Sequence, residues 1–538
     1  MESVIDASVI CVLAALLSVP CVGAAKDPAL RPPPVHLEPG PEYAGSKRIF
    51  QGIPGIERSA NGRLWATWYG GGKTEGPENY VMLATSDDDG KRWSDVMLVI
   101  DPPSDVRAFD PCLWHDPTGR LWLFWAQSHS LWDGRGGVWA IVTNDSGAAS
   151  PKWSAPRRLC DGVMMNKPTV LSTGEWLLPV SVWSHKPINL IAKEYAFDLK
   201  ERSGSQAVCS TDKGRTWELL GLSDVKERSC DEHMIVERKD GALWMLVRTK
   251  YGIGESVSTD RGKTWSTGGP SKTVTHIKSA ARFFIRRLAS GRLLLVKHNP
   301  ASQKGRSHLT AFLSDDDGKS WTGGLLLDPR GGVSYPDGVQ APDGTMYIIY
   351  DYSRHRVKKI LMATFTEEDV AKGKCVTDRA RLRVLVNQAT GTPPGNFDPG
   401  KLRANKDGVA LLSGDAAEVE PVDGKLAKII VGATLFTNRK YVVRDRPGFM
   451  EGRTFIQSSI DCTRAVCRKA GVVYVATPQP DRNKDSVTEA LGKLGFRKAR
   501  VPEFILFGDI MNNVCTVYQK RVEVGERIAF GKWGVLIF

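Results

Sequence analysis

The chain has 538 residues, of which 41% are hydrophobic and 25% charged, and its 73 Lys and Arg against 60 Asp and Glu give a net charge of +13. This composition excludes a disordered or fibrous chain, and the length is ample for a buried core and for more than one domain. Ten cysteines are too few for a disulfide-dense scaffold and form no pair of Cys-x-x-Cys elements, so no structural zinc module is expected. The basic balance suggests anionic partners, such as acidic glycans, nucleic acid or membrane surfaces, and a solvated basic face without a partner is the alternative.

The N-terminus carries a short apolar core, residues 7–19, followed by the small residues Val22, Gly23 and Ala24. This pattern predicts a secretory signal peptide over residues 1–24, because the core is too short for a transmembrane helix. The acidic residues before the core are unusual for such a signal, and an uncleaved apolar tail or a misplaced start codon is the alternative. We expect an exported protein, periplasmic or extracellular, without a membrane span.

A turn element then recurs along the chain: a polar residue, a Gly, any residue and the start of an apolar strand. Its glycines are Gly62, Gly119, Gly174, Gly241, Gly291 and Gly344, at steps of 57, 55, 67, 50 and 53 residues. A turn glycine followed by β-forming residues is a hairpin signal. Six such units at a period near 50 predict an all-β fold with a six-bladed β-propeller over residues 45–386.

A second repeat, Ser-x-Asp-x-Gly-x-x-Trp, interleaves with the first. It reads SDDDGKRW from Ser86, STDKGRTW from Ser210, STDRGKTW from Ser258 and SDDDGKSW from Ser314, with a degenerate copy at residues 143–147. We expect a structural role, in which the Asp accepts backbone N–H bonds, the Gly takes a positive φ and the Trp packs between strands. A calcium loop is the alternative, but no Glu stands where such a loop needs it.

These repeats resemble the Asp-boxes of the sialidase superfamily, and the chain from about residue 46 to 386 resembles that propeller. Family members carry a catalytic Glu some fifteen residues before a carboxylate-binding Arg. The stretch DEHMIVERKDGALWMLVRT, residues 231–249, is similar to it. The resemblance implies that Glu232 activates the nucleophile and that Arg248 belongs to the arginine cluster.

Further matches follow the same family pattern. Arg306, in GRSHLT before the last Asp-box, resembles the next family arginine, and Tyr335 in YPDGV resembles the nucleophilic tyrosine. Asp351 stands at the position of the family's terminal acid. Asp110, in the segment Phe109-Asp110-Pro111, is similar to an aspartate of the family's substrate pocket.

The acid/base position is the least defined part of the resemblance. Counting back from the first Asp-box, Glu75 falls where the family places its acid/base Asp, and neighbouring Glu78 competes with it. This assignment depends on the path of a loop.

One family arginine is missing. The family's Arg-Ile-Pro near the first strand is Gln51-Gly52-Ile53-Pro54 here, so Gly52 stands where the first arginine of the triad is expected. Arg58 and Lys73 are close in sequence and could substitute for it.

The resemblance implies a retaining exo-glycosidase that releases terminal acidic sugars from glycans through a tyrosine nucleophile, with no cofactor and no metal. A neutral tyrosine suits an anionic sugar, because a carboxylate nucleophile would be repelled by it. Two alternatives stay open: a propeller glycosidase or lyase for another acidic sugar, favoured by Gly52, and a non-catalytic glycan-binding propeller. The expected partner is an anionic glycan or glycoconjugate.

The rest of the chain divides into two parts. Residues 387–424, rich in Gly, Pro and Asp, predict a linker, and residues 425–538 predict a small β-rich accessory domain with one helix near residues 484–494. This last part holds 20 Lys and Arg against 10 Asp and Glu. No dense basic run with interleaved aromatics occurs there, so nucleic acid is not an expected partner.

Overall fold

The computed structural model describes residues 27–188, 198–274, 280–392, 408–439, 441–444, 446–480, 486–501, 503–507 and 514–538. The predicted signal peptide lies outside these residues. Within them the chain forms 34 strands and two short α-helices, so the predicted all-β class is confirmed. No helix among the described residues is long and apolar enough to cross a membrane.

Six antiparallel sheets follow one another along residues 35–388, each a meander of sequential strands apart from the added edge strand β1 in the first. The first two contain β1 (Val35–His36), β2 (Phe50–Arg58), β3 (Leu64–Gly71), β4 (Asn79–Ser86) and β5 (Leu98–Ile100), then β6 (Val106–His115), β7 (Leu121–His129), β8 (Val138–Thr143) and β9 (Arg157–Cys160). The third and fourth contain β10 (Thr169–Val170), β11 (Trp176–Val182), β12 (Gly204–Ser210) and β13 (Glu218–Ser223), then β14 (Met234–Glu237), β15 (Leu243–Thr249), β16 (Gly252–Ser258) and β17 (Gly269–Pro270). The fifth and sixth contain β18 (Phe284–Arg287), β19 (Leu293–His298), β20 (Leu309–Ser314) and β21 (Thr322–Asp328), then β22 (Val333–Gln340), β23 (Met346–Tyr352), β24 (Lys359–Phe365) and β25 (Arg381–Gln388).

The turn glycines of the first repeat join the innermost pair of strands in every one of these sheets. Each lies in a five-residue connection, such as the one between Arg58 and Leu64, and all six have a positive φ between 82° and 100°. A residue with a Cβ is strained in this conformation, which glycine adopts freely. The predicted hairpins are therefore confirmed.

The Asp-boxes form the turn between the third and fourth strands of four sheets. In the box that follows β12, the Asp212 carboxylate accepts hydrogen bonds from the backbone N–H and the hydroxyl of Thr216 at 2.9 and 2.6 Å, and from the Ser210 hydroxyl at 2.9 Å. Trp217 packs against Trp122 and Trp176. The structural interpretation of the repeat is confirmed. In the sixth sheet, helix α1 (Glu367–Lys372), closed by a capping box at Thr366, occupies this connection.

The first strands of the sheets lie side by side. Strand β2 contacts both β6 and β22, and β14 contacts both β10 and β18, which in turn contacts β22. The Lys167 ammonium joins the second sheet to the third through the carbonyl oxygen of Leu113 at 2.7 Å. Side chains at one end of these strands therefore converge, and the candidate site lies there.

Residues 408–538 form two further sheets with their own buried clusters of apolar residues. Their strands and helix are β26 (Glu418–Pro421), β27 (Lys425–Lys428), β28 (Thr454–Gln457), β29 (Thr463–Lys469), β30 (Gly471–Pro478), α2 (Thr488–Lys493), β31 (Arg497–Lys498), β32 (Cys515–Val522), β33 (Arg527–Phe530) and β34 (Val535–Ile537). The sheet orders are β26-β29-β33 and β27-β28-β34-β30-β32-β31. Strand β26 lies within the segment predicted as a linker, and α2 lies where one helix is expected. The domain boundaries remain a prediction.

Candidate functional site

Three of the first strands share an irregularity at the same place. Their pairing with the second strand shifts register between Gly52 and Gly55, between Phe109 and Cys112, and between Ser334 and Asp337. Each shift contains a residue at positive φ followed by proline: Ile53 (55°), Asp110 (49°) and Tyr335 (56°). Proline is tolerated inside strands mainly at such bulges, and non-glycine residues at positive φ concentrate at functional sites.

Tyr335, Glu232 and Arg248 form one hydrogen-bonded cluster at this position. The Tyr335 hydroxyl donates to Oε1 of Glu232 at 3.0 Å, and Nη1 of Arg248 donates to the tyrosine oxygen at 3.3 Å and also pairs with Glu232. All three side chains are largely buried. Burial and the charge of Glu232 raise the pKa of Tyr335 above its ordinary value, although the nearby arginines act in the opposite sense.

The segment that presents Glu232 has an unusual backbone and its own supports. Cys230, Asp231 and Glu232 have positive φ values of 53°, 40° and 37°. The Asn166 side-chain amide donates to the carbonyl oxygen of Glu232 at 2.9 Å, and Nε of the buried Arg282 donates to Asn166 at 2.7 Å. Neighbouring sheets thus hold the glutamate in place, an arrangement that the sequence analysis did not identify.

Arg306 and Asp351 flank the tyrosine. The Arg306 guanidinium lies 5.4 Å from the centre of the Tyr335 ring, and its nitrogens donate to the Ser334 hydroxyl at 2.9 Å and the Ala280 carbonyl at 3.0 Å. Asp351 is fully buried and accepts the N–H of Ile53 at 2.9 Å. Burial raises the pKa of Asp351 to about 6, against the opposing charges of nearby arginines. The structure therefore places Arg306 beside the ring of the nucleophile candidate and pairs Asp351 with Ser334, the residue before Tyr335.

Arg354 belongs to the same cluster, and the sequence analysis missed it. Its guanidinium lies 5.1 Å from the Tyr335 ring centre, on the loop that follows β23. Nη1 donates to Glu75 at 2.9 Å, and Nε lies 3.9 Å from Asp351. The signal in the sequence is an arginine three residues after the predicted terminal acid.

The pKa values of Asp110 and Glu75, two further predicted acids, are shifted in opposite directions. Burial raises the pKa of Asp110 to about 8, although the charge of Arg107 opposes this shift. Burial alone would also raise the pKa of Glu75, but the charges of Arg354 and Arg107 outweigh it and lower the pKa instead. At neutral pH Asp110 therefore carries a proton and Glu75 does not.

Arg58, one of the two residues considered as a substitute for the missing arginine, lies away from the site. Arg58 ends β2 beside the Gly62 turn, at the opposite end of the strand from Gly52, so it does not replace the missing arginine. His233 and His298 are buried and bond the backbone carbonyls of Gln206 and Val333 at 2.9 Å.

A buried ion cluster lies among the first strands. The Lys167 ammonium lies 3.1 Å from Glu57 and 3.4 Å from Asp337, and it donates to the carbonyls of Ile56 and Leu113 at 2.6 and 2.7 Å. The charges of Lys167 and His115 overcome the effect of burial and lower the pKa of Glu57 to about 2. The cluster joins the first, second, third and sixth sheets, so Lys167 is a structural cation.

Residues 62–348 match the family described as BNR repeat-like domain, which is more than half of the chain. The chain belongs to this family, within the sialidase superfamily. The resemblance of the Asp-boxes is therefore confirmed. The matched range contains Glu75, Asp110, Glu232, Arg248, Arg306 and Tyr335, whereas Gly52, Asp351 and Arg354 lie outside it.

Relatives of this BNR-repeat protein carry sialidase names. A sialidase of Micromonospora viridifaciens is 32% identical over 184 residues, which cover 31% of this chain and 27% of that protein. A sialidase of Bacteroides fragilis (strain YCH46) is 24% identical over 300 residues, 51% of this chain and 54% of that protein. The chain thus spans about a quarter and about half of the lengths of these two relatives. Among solved structures, Hadza microbial sialidase Hz136 is 19% identical, with a TM-score of 0.47 over 60% of this chain and 67% of that chain.

Proposed function

We propose that the protein is an exported retaining exo-glycosidase of the sialidase type, which releases terminal acidic sugars from glycans. The observation that carries this proposal is the Tyr335 hydroxyl bonded to Glu232 at 3.0 Å, with Arg248, Arg306 and Arg354 around it. In this proposal the six sheets are the blades of a propeller, and residues 425–538 form an accessory domain.

The arginines would bind the sugar's carboxylate. A guanidinium keeps its charge at every physiological pH and meets a carboxylate with two parallel hydrogen bonds. Arg248 and Arg306 both have their charged ends within reach of the same tyrosine. A sugar whose carboxylate is attached to the anomeric carbon would thus have that carbon held beside the Tyr335 oxygen.

Tyr335 would act as the nucleophile and Glu232 as its base. The raised pKa of Tyr335 keeps the phenol neutral in the free protein, so the anionic sugar is not repelled. In the first step the tyrosine oxygen bonds to the anomeric carbon, the phenolic proton moves to Glu232, and the glycosidic C–O bond breaks. Water then attacks the anomeric carbon and gives one proton to the carboxylate of the acid that protonated the leaving oxygen. The bond to the tyrosine oxygen breaks, and Glu232 returns its proton to the phenolate. Two displacements on one carbon retain its configuration.

The leaving oxygen needs a proton, and two acids are candidates to supply it. Glu75 stands at the position that the resemblance assigns to the acid/base residue, but its pKa is lowered and it is bonded to Arg354. Asp110 carries a proton up to about pH 8 and lies at the bulge of β6, close enough to Glu232 for the charge of that residue to act on it. We therefore favour Asp110 as the proton donor, because a general acid must be protonated at its working pH.

The proposal is tested by the release of 4-methylumbelliferone from its N-acetylneuraminic acid glycoside. We expect Tyr335→Phe to lower kcat by on the order of a thousandfold or more, because the nucleophile is lost. Tyr347→Phe is the matched control, since this buried tyrosine bonds Asp89 in an Asp-box turn. Proton NMR of the product formed first should show the retained anomer.

Other outcomes separate the alternatives. An unsaturated sugar absorbing in the ultraviolet would identify lyase chemistry on another acidic sugar, which Gly52 favours. Glycan binding without turnover, unchanged in Tyr335→Phe, would identify a non-catalytic propeller. Either result contradicts the proposed hydrolase.

A further inference from the structure

The space beside Gly52 leaves no room for a side chain at this position. Its φ lies outside the left-handed region, so its backbone conformation is open to other residues. A Cβ built at this position would lie 2.3 Å from Cδ and 2.6 Å from Cγ of Arg354, and 2.9 Å from Oδ2 of Asp351. The Arg354 side chain therefore fills the volume into which any side chain at position 52 would extend.

The charged end of Arg354 is held on two sides and points to the nucleophile candidate. Glu75 binds Nη1, and Asp351 lies near Nε. Nη2 makes no hydrogen bond with any residue that the structure describes. The guanidinium is as close to the Tyr335 ring as that of Arg306, 5.1 Å against 5.4 Å.

We propose, on the basis of the proposed function, that Arg354 supplies the third carboxylate-binding guanidinium of the site and that Gly52 is the residue that makes room for it. The arginine reaches the site from the loop after β23 instead of from β2. Asp351 and Glu75 act as positioning residues for it.

In this arrangement Asp351 and Glu75 each restrict the position of Arg354. Asp351 accepts the N–H of Ile53 and lies near Arg354, so it links the bulge in β2 to the arginine that crosses it. Glu75 forms a charge-assisted hydrogen bond with Nη1 and so limits the rotation of the guanidinium. The ligand class is a sugar acid whose carboxylate meets three guanidinium groups beside Tyr335.

The first experiment compares inhibition by N-acetylneuraminic acid and by its methyl ester, which lacks the negative charge. We expect Arg354→Ala to weaken binding of the acid by about 10- to 100-fold, the range for one charge-assisted contact, and to change binding of the ester much less. Arg356→Ala is the matched control, because this arginine lies exposed on the same loop. A merely structural role would weaken both ligands equally.

The second experiment tests the steric relation between positions 52 and 354. Gly52→Ala alone should displace Arg354 and reduce the preference for the acid over its ester. Gly52→Ala added to Arg354→Ala should have little further effect, because only the 2.9 Å approach to Asp351 then remains. Gly52→Arg combined with Arg354→Ala should restore part of the preference, since it places an arginine in the volume that has been vacated.

Different results would refute the role of Arg354 and the proposed function. If Arg354→Ala leaves the preference for acid over ester unchanged in an active sialidase, the inference is overturned and the proposed function stands. If the wild type neither cleaves nor binds sialic acid, the proposed function fails. The role of Arg354 is then tested by comparing the binding of uronic acids with that of their methyl esters. If the wild type binds none of these sugar acids more tightly than its methyl ester, the inference is overturned.

Discussion

The pair formed by Arg248 and Glu232 gives a prediction that does not depend on the substrate. The Glu232 side chain is 2% exposed and the Arg248 side chain 11% exposed, and Oε2 of the glutamate has no partner among the described residues. Arg248→Met therefore leaves a carboxylate buried without its cation. Such a change destabilises proteins by about 3–5 kcal/mol.

We expect Arg248→Met to lose about 3–5 kcal/mol at pH 7, relative to the wild type, because Glu232 loses its ion pair with Arg248 and its buried Oε2 has no partner among the described residues.

Urea unfolding followed by tryptophan fluorescence at pH 7 measures this difference. The double variant Arg248→Met with Glu232→Gln should recover most of the loss at pH 7, because no charge then stays buried. Lys493→Met, which removes an exposed ion pair with Glu489, is a control expected to change nothing measurable. A loss below about 1 kcal/mol at pH 7 would refute the reasoning.

Three further predictions concern the donor, the turns and the buried cation. If Asp110 donates the proton, kcat/KM should fall above pH 8 as its carboxyl ionises, and Asp110→Asn should remove this alkaline limb from the pH profile along with most of the activity on poor leaving groups. Gly318→Ala should lower the free energy of unfolding by about 1–3 kcal/mol, because its φ is +85° and the new Cβ would lie 2.5 Å from the Trp244 ring. Lys167→Met should destabilise by about 3–5 kcal/mol in urea unfolding, since two buried carboxylates lose their cation.

The repeats were predictable because their chemistry is local. A turn glycine and an Asp-box each specify a backbone conformation within eight residues, so the hairpins and the structural role of Asp212 follow from the sequence alone. The resemblance then assigned Tyr335, Glu232 and Arg248, and the structure places them in hydrogen-bond contact although up to 103 residues separate them.

Arg354 could not be predicted in this way. Its importance depends on which side chain enters the volume beside Gly52. This is a property of strand β2 and of the loop after β23, which lie about 300 residues apart in the chain. The sequence analysis looked for substitutes near Gly52 in the chain and named Arg58 and Lys73, of which Arg58 lies at the far end of the same strand. Its distance from Gly52 along β2 rules out Arg58 as the substitute. The contact between Gly52 and the Arg354 side chain identifies Arg354 instead.

The three bulges combine a local sequence feature with contacts between distant parts of the chain. Ile53, Asp110 and Tyr335 each precede a proline and each adopt a positive φ, a conformation that costs about 1–3 kcal/mol and persists only when the surrounding structure imposes it. At the third bulge the strained residue is the nucleophile candidate, and at the second it is the favoured proton donor. At the first bulge the strained residue is an isoleucine, and what matters is its backbone, because the Ile53 N–H holds Asp351, which lies beside Arg354. The same backbone conformation thus occurs at all three places, and in β2 it positions Asp351 although a glycine stands at position 52.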